Sequence, residues 1–237
     1  MKILLTVVFS FLSIYYMCAQ NQADMTAVDY SAASYFNAAG NHASIYSGRE
    51  EPKYIYKSVN HPYLDEDKFI IGTLCIDSCI YQDIPMRLNQ DIEELAVLSP
   101  DRIFSVLIPR EYLDYAKIDS LHIVYHKPVS ADGRLMPEGY YVRMYDGERQ
   151  VWKRNVSFLS SRVNNNEVEY MFEGNTKIYI HIDGVYHPVN NKRSVLKLFA
   201  SRKKELKKMF KQSGVKYREN LEKSIVAITR YYDEINK

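Results

Sequence analysis

The chain has 237 residues, 46% of them hydrophobic and 25% charged, with 31 Lys and Arg against 29 Asp and Glu. A formal net charge of +2 excludes a uniformly basic nucleic-acid binder, and 21 Tyr and 9 Phe with only 9 Gly exclude an intrinsically disordered chain. The length suffices for a real hydrophobic core.

Residues 1–19 carry Lys2, an uncharged stretch from Ile3 to Tyr16 and the small Ala19, the three-part plan of a secretory signal, with cleavage expected after Ala19. Lipidation of Cys18 would need small residues before it, and Tyr15, Tyr16 and Met17 stand there instead. We expect an exported protein of the periplasm, the outer-membrane periphery or the extracellular space. No later apolar run approaches the ~20 residues of a spanning helix, so no transmembrane helix is expected in the mature chain.

In residues 20–67, Met25, Val28, Ala32, Tyr35, Phe36 and Ala39 follow a helical period from Asp24 to the stop at Gly40. Connecting loops follow, around one short strand at Tyr54–Tyr56. Residues 68–189 read as strands rich in Ile, Val and Tyr: Phe69–Cys75, Cys79–Leu88, Glu94–Leu98, Ile103–Ile108, Leu121–His126, Tyr140–Tyr145, Arg149–Val156, Val168–Phe172, Lys177–Ile182 and Val185–Val189. Asp146-Gly147 and Asp183-Gly184 are strong two-residue hairpin signals, and Asp77-Ser78 is a weaker copy. Connections this short predict a mostly antiparallel meander of about nine or ten strands, curled or split in two.

Cys75 and Cys79 flank the Asp77-Ser78 turn. A two-residue loop would pair Cys75 with Ile80 and Cys79 with Ile76, on opposite faces; a three-residue loop would let the cysteines form a disulfide. The residues alone leave both open.

From residue 190 the period is helical again. Val195, Leu198, Phe199, Leu206, Met209 and Phe210 line one side of a segment ending at Gly214; Leu221, Ile225, Ile228, Tyr232 and Ile235 line a second helix behind the cap candidate Asn220. Two C-terminal helices packed on the meander make the class α+β.

Charge is segregated between these parts. Lys192–Lys237 holds 14 basic and 5 acidic side chains, whereas Gln20–Asn191 holds 16 basic and 24 acidic. Arg202, Lys203, Lys204, Lys207, Lys208 and Lys211 fall on the outer side of a helix whose apolar residues point the other way, the pattern of a contact for an anionic lipid surface or an acidic protein. The plain alternative is a solvated face. No aromatic residue interrupts the Arg202–Lys208 cluster as nucleic-acid stacking requires, so no nucleic-acid partner is expected.

Chemistry is sparse. The sequence has no nucleophile elbow, phosphate-cradling glycine loop or HExxH helix. His122 and His126 lie four apart on one strand face, and the Asp183-Gly184 turn sends His181 and His187 to opposite faces, so no metal site is expected. Adjacent carboxylates at Glu50-Glu51 and Glu93-Glu94 point apart, so no catalytic residue and no cofactor is assigned. Aromatics are the oddity. Tyr140, Tyr141, Tyr145, Tyr170, Tyr179 and Tyr186, with the single Trp152, concentrate on the hairpins, as core or as the lining of an aromatic groove.

Leu74–Met86 (LCIDSCIYQDIPM) and Ile182–Glu205 (IDGVYHPVNNKRSVLKLFASRKKE) resemble segments of a family of uncharacterised exported envelope proteins of Gram-negative bacteria, and the likeness extends loosely from Ile45 to Asp233. Ser78 stands where the resemblance implies Gly. No catalytic residue comes with it. The resemblance implies an envelope address, and a meander closed by helices also looks like the half-barrels that carry lipids or lipoproteins. We expect a non-catalytic exported binding module, with a half-barrel carrier as the alternative and an enzyme third.

Overall fold

Strands alternate with turns that only a few residue types can make, and two of the three expected hairpin turns form as the sequence dictates. A computed structural model describes residues 44–127, 136–164, 167–213 and 220–236. The expected signal peptide and the Asp24–Gly40 helix lie outside the described residues. Asp77 and Ser78 adopt φ of 47° and 64°, and Asp183 and Gly184 adopt 49° and 81°, the left-handed pair of a two-residue hairpin turn. Their strands pair Cys75 with Ile80, Ile76 with Cys79, Ile182 with Val185 and His181 with Tyr186. Both cysteines are free, Cys75 buried and Cys79 exposed.

The strands are β1 (Arg49–Glu50), β2 (Ile70–Ile76), β3 (Cys79–Asn89), β4 (Glu94–Leu98), β5 (Ser105–Leu107), β6 (Leu113–Ile118), β7 (Leu121–His126), β8 (Gly139–Asp146), β9 (Gln150–Asn164), β10 (Glu167–Ile182) and β11 (Val185–Val189). They form one open antiparallel sheet in the order β1-β5-β4-β3-β2-β6-β7-β8-β9-β10-β11. The class is mostly-β α+β.

Four features correct the expected elements. First, β6 pairs with β2 rather than with its sequence neighbour β5, so the chain crosses back after β5 and the order is not a pure meander. Gly72 makes room for that pairing: a Cβ there would lie 2.1 Å from the Lys117 carbonyl oxygen. Second, Asp146-Gly147 does not form a two-residue turn. Asp146 pairs with Gln150, leaving residues 147–149 as the loop, and Gly147 lies against side-chain ends that a Cβ would push aside, Tyr145 Oη at 2.3 Å and Asp233 Oδ2 at 2.6 Å. Third, the expected strands at Arg149–Val156, Val168–Phe172 and Lys177–Ile182 belong to one long hairpin, β9–β10, whose register runs without a break from Glu167↔Asn164 to His181↔Gln150. Fourth, Tyr54–Tyr56 is not a strand. The segment docks on β10 by its rings, Tyr54 edge-on to Phe172 (4.9 Å) and Tyr56 stacked on Tyr170 (4.2 Å). Asn60 completes the contact, donating to the Phe172 carbonyl (2.7 Å) and accepting from its amide (2.6 Å).

The sheet bends strongly. In sheet order β4 and β9 are six positions apart, roughly 28 Å on a flat sheet at about 4.8 Å per strand. Yet Arg154 of β9 donates to Glu93, beside β4, at 2.7 Å, and the Ser157 amide donates to the Gln90 carbonyl at 2.9 Å. The space this encloses is filled by side chains, among them Leu74, Met86, Leu95, Val97, Ala116 and Ile123, each 0% exposed. Met144 packs against this cluster and against a second, in which Val151, Ile178, Ile180 and Val189 of the sheet meet Val195, Phe199, Leu206, Ile225 and Ile228 from the C-terminal helices.

Those helices are α1 (Lys192–Leu198), α2 (Lys203–Ser213) and α3 (Leu221–Glu234), with a 3₁₀ turn at Ala200–Arg202. The single helix expected up to Gly214 is therefore broken. Asn191 caps α1, accepting from Ser194 N (2.8 Å), and Asn220 caps α3, accepting from Lys223 N (2.9 Å). Phe199 ends α1 with φ −99° and ψ 45°, and its buried ring stacks on Tyr232 of α3 at 4.2 Å. Among the described residues, no helix is long and apolar enough to cross a membrane.

Candidate functional site

The break at Phe199 decides which cations share a surface. On an unbroken helix Arg193, Ala200, Lys204 and Lys211 would form one stripe, being spaced by seven, four and seven residues. The 3₁₀ turn instead turns α2 so that Lys203 and Lys207 face Lys192, Arg193 and Lys197 of α1 across a groove of 640 Å³. Leu196 and Ala200 form its floor, and among the described residues no carboxylate lines it. The groove has a mainly apolar wall, made partly by lysine stems, with ammonium and guanidinium groups at the rim.

Its walls are held from behind. Val195 and Leu206 are 0% exposed and Phe199 is 1% exposed, so α1 and α2 are anchored in the core by the residues that alternate with the groove residues. The third helix is pinned in turn. Asp233 accepts from Tyr145 Oη (3.1 Å) and from Arg149 Nη1 (2.9 Å), Lys153 pairs with Glu222 (2.9 Å), and Arg149 lies over the Tyr232 ring at 4.8 Å.

The six cations expected to act together therefore divide. Lys203 and Lys207 enter the groove. Arg202 turns away toward Glu205 (3.6 Å) and Asn236 (3.4 Å), and Lys204 and Lys208 are exposed outside the groove lining. The side chain of Lys211 lies outside those described. Lys192, Arg193 and Lys197 were missed because the densest basic run begins at Arg202; the Arg193/Lys197 spacing of four in a segment without acids is the signal that marks them.

The aromatic set separates into three clusters. Tyr141, Trp152 and Tyr179 are buried together with Met136, and Tyr186 packs against them. Tyr140 belongs to the cluster inside the bend, and Tyr145 to the cluster under the helices. Burial pushes the phenols of Tyr140, Tyr141, Tyr145, Tyr179 and Tyr186 above their ordinary range. As a groove lining these residues are mutually inaccessible: Tyr140, Tyr141, Trp152 and Tyr179 are each less than a tenth exposed.

The titratable groups pair locally. His122 accepts from Arg143 Nη2 (2.9 Å to Nδ1), and His126 lies edge-on to Tyr141 and Tyr186. His181 and His187 pair across the strands with Tyr186 and Ile180, so their side chains point to opposite faces. Adjacent carboxylates diverge to different cations. Glu93 meets Arg154 and Glu94 meets Arg110 (3.4 Å). Glu51, 4% exposed, meets Arg87 and Ser105, both at 2.9 Å, while Glu50 reaches only Lys53 at the surface. The Arg87 guanidinium lies between the rings of Tyr63 (3.7 Å) and Phe69 (4.2 Å); burial, with the Glu51 charge added, pushes the Tyr63 phenol up to about 12. This cluster ties the segment around β1 to the sheet. Among the described residues, no three His, Cys, Asp or Glu side chains gather as a metal ion would require.

No protein-family model matches the chain, and no curated protein or solved structure shows significant similarity to it. The groove therefore stands on its own geometry.

Proposed function

We propose that this chain is an exported, non-catalytic binding module of the bacterial cell envelope that meets an anionic envelope component through its C-terminal helices. The observation that carries the reading is the groove: cations from two helices converge on one apolar floor, with no acid among the described residues that line it, on helices fixed to the sheet by their opposite sides. Arg193, Lys197, Lys203 and Lys207, brought together in this way, repel one another, and an anion seated among them relieves that repulsion. The signal-like first 19 residues and the resemblance noted above supply the address.

A half-barrel carrier is the weaker reading, because the concave side of the bend is occupied by Leu74, Met86, Leu95, Val97 and Ile123 rather than open to a ligand. An enzyme is weaker still, since Glu50, Glu51, Glu93 and Glu94 each meet a different cation, His122, His126 and His181 each lie against a neighbouring side chain, and none of these groups converge on one another.

The test is envelope fractionation with in-cell crosslinking of the full chain. Replacing Lys203, Lys204, Lys207 and Lys208 with Glu is expected to release the protein from the envelope fraction and to remove its crosslinks, with the circular dichroism spectrum unchanged. Retention of the folded quadruple variant in that fraction with the same crosslinks overturns the reading.

A further inference from the structure

We infer that the groove between α1 and α2 seats a single anionic phospholipid, its phosphate among Arg193, Lys197, Lys203 and Lys207 and its first acyl segment on Leu196 and Ala200. The inference rests on the reading above and narrows it from an anionic partner to one chemical class.

Three properties select that class. The rim demands negative charge, and Arg193 adds a planar fork of donors suited to phosphate oxygens. The groove wall offers apolar carbon, from the exposed Ala200, the lysine stems and the edge of Leu196, which is 6% exposed: a free phosphate ion would leave this carbon uncovered, and an acidic peptide would bring carboxylates but little to bury there. A phospholipid supplies both in one molecule.

Preorganisation is the third property. The lining residues stand on elements whose other faces are fully buried through Val195, Phe199 and Leu206, so the backbone positions that carry the cations are already in place before binding. The Ala200 position, at the start of the 3₁₀ turn between the helices, is exposed and small, which leaves the floor open.

The experiment compares two charge reversals of equal size. Lys203→Glu with Lys207→Glu alters the groove; Lys204→Glu with Lys208→Glu alters the same helix beside it. Binding is measured with short-chain phosphatidylglycerol below its micelle concentration, with short-chain phosphatidylcholine, with inorganic phosphate and with a polyglutamate peptide. Saturable binding of phosphatidylglycerol at one site is expected, lowered at least tenfold by the groove pair and less than threefold by the neighbouring pair. Ala200→Trp should weaken the lipid by at least fivefold while leaving the thermal transition in place. Equal losses from the two pairs overturn the groove and leave the general anionic surface standing. Phosphate or polyglutamate binding as tightly as the lipid overturns the phospholipid. Wild-type protein that prefers no anionic probe overturns both the inference and the reading beneath it. Should the groove pair fail to fold, Arg193→Gln and Lys197→Gln provide the same comparison by neutralisation.

Discussion

Arg149 and Asp233 meet at 2.9 Å across the junction between the β8–β9 loop and α3, and Asp233, 3% exposed, also accepts from the Arg149 amide and from Tyr145. This one carboxylate gathers donors from the loop and from β8, and it sets the angle at which the last helix lies on the sheet. Asp233→Ala should lower unfolding stability by about 2–3 kcal/mol. That is somewhat below the roughly 3–5 kcal/mol for breaking a buried pair, because Glu148 still meets Arg149 at 3.0 Å. A urea titration that moves the midpoint without changing the slope checks it; a loss under about 0.5 kcal/mol would show the pair to be decorative.

Ser78 carries a left-handed backbone, φ 64°, at the second position of its turn. A Cβ in that region costs roughly 1–2 kcal/mol, partly offset by the greater entropy glycine restores to the unfolded chain. Ser78→Gly should therefore stabilise the protein by about 0.5–1 kcal/mol. The hydrogen bond from the Ser78 amide to Asp114 (2.7 Å) is a backbone contact that glycine keeps. A raised thermal midpoint is the expected outcome, and a lowered one would mean that the serine side chain does more than fill the position.

His122 and His126 are both held below the ordinary histidine pKa, chiefly by burial and, for His122, by the neighbouring Arg143 charge as well. A lowered folded pKa means that the unfolded chain binds protons first. Their contribution is fully present above the unfolded pKa of about 6.5 and is lost as pH falls through the folded value. Stability should thus decline from pH 7 toward pH 5. The double variant His122→Gln, His126→Phe should flatten that slope; an unchanged slope assigns the pH dependence elsewhere.

Much of the sheet was legible where a residue type is forced by geometry. The His181↔Tyr186 pair follows from the Asp183-Gly184 turn, which needs positive φ at both positions; at Asp77-Ser78 the residues leave a two- and a three-residue loop open, and the chain takes the two-residue one, pairing Cys75 with Ile80. The failures have equally local causes. Leu113–Ile118 is absent from the expected strands: Asp114 and Lys117 interrupt its apolar residues, and nothing nearby announces that its partner is β2, some forty residues earlier. The gap between the expected strands Val168–Phe172 and Lys177–Ile182 is closed: Gly174 and Asn175 remain inside β10, held by its ladder to β9. At Phe199 the helical period runs through the break uninterrupted, so composition could find the basic helix but not the rotation that sets Lys203 and Lys207 opposite Arg193. Half of the candidate groove was visible as a charge run; its other wall required the turn.

The helices cover only one end of the sheet, packing on residues of β8–β11, while most of the acidic side chains belong to the preceding 172 residues of the expected mature chain. A chain of almost no net charge in this way holds an excess of base in its last 46 residues and an excess of acid before them. On the proposed reading, a negatively charged plane would pull on the first and push on the second, turning the body before contact so that it arrives with α1 and α2 leading. Rotation in the field would then do part of the work of recognition, and added salt, by shortening the reach of that torque, should slow capture more than it hastens release.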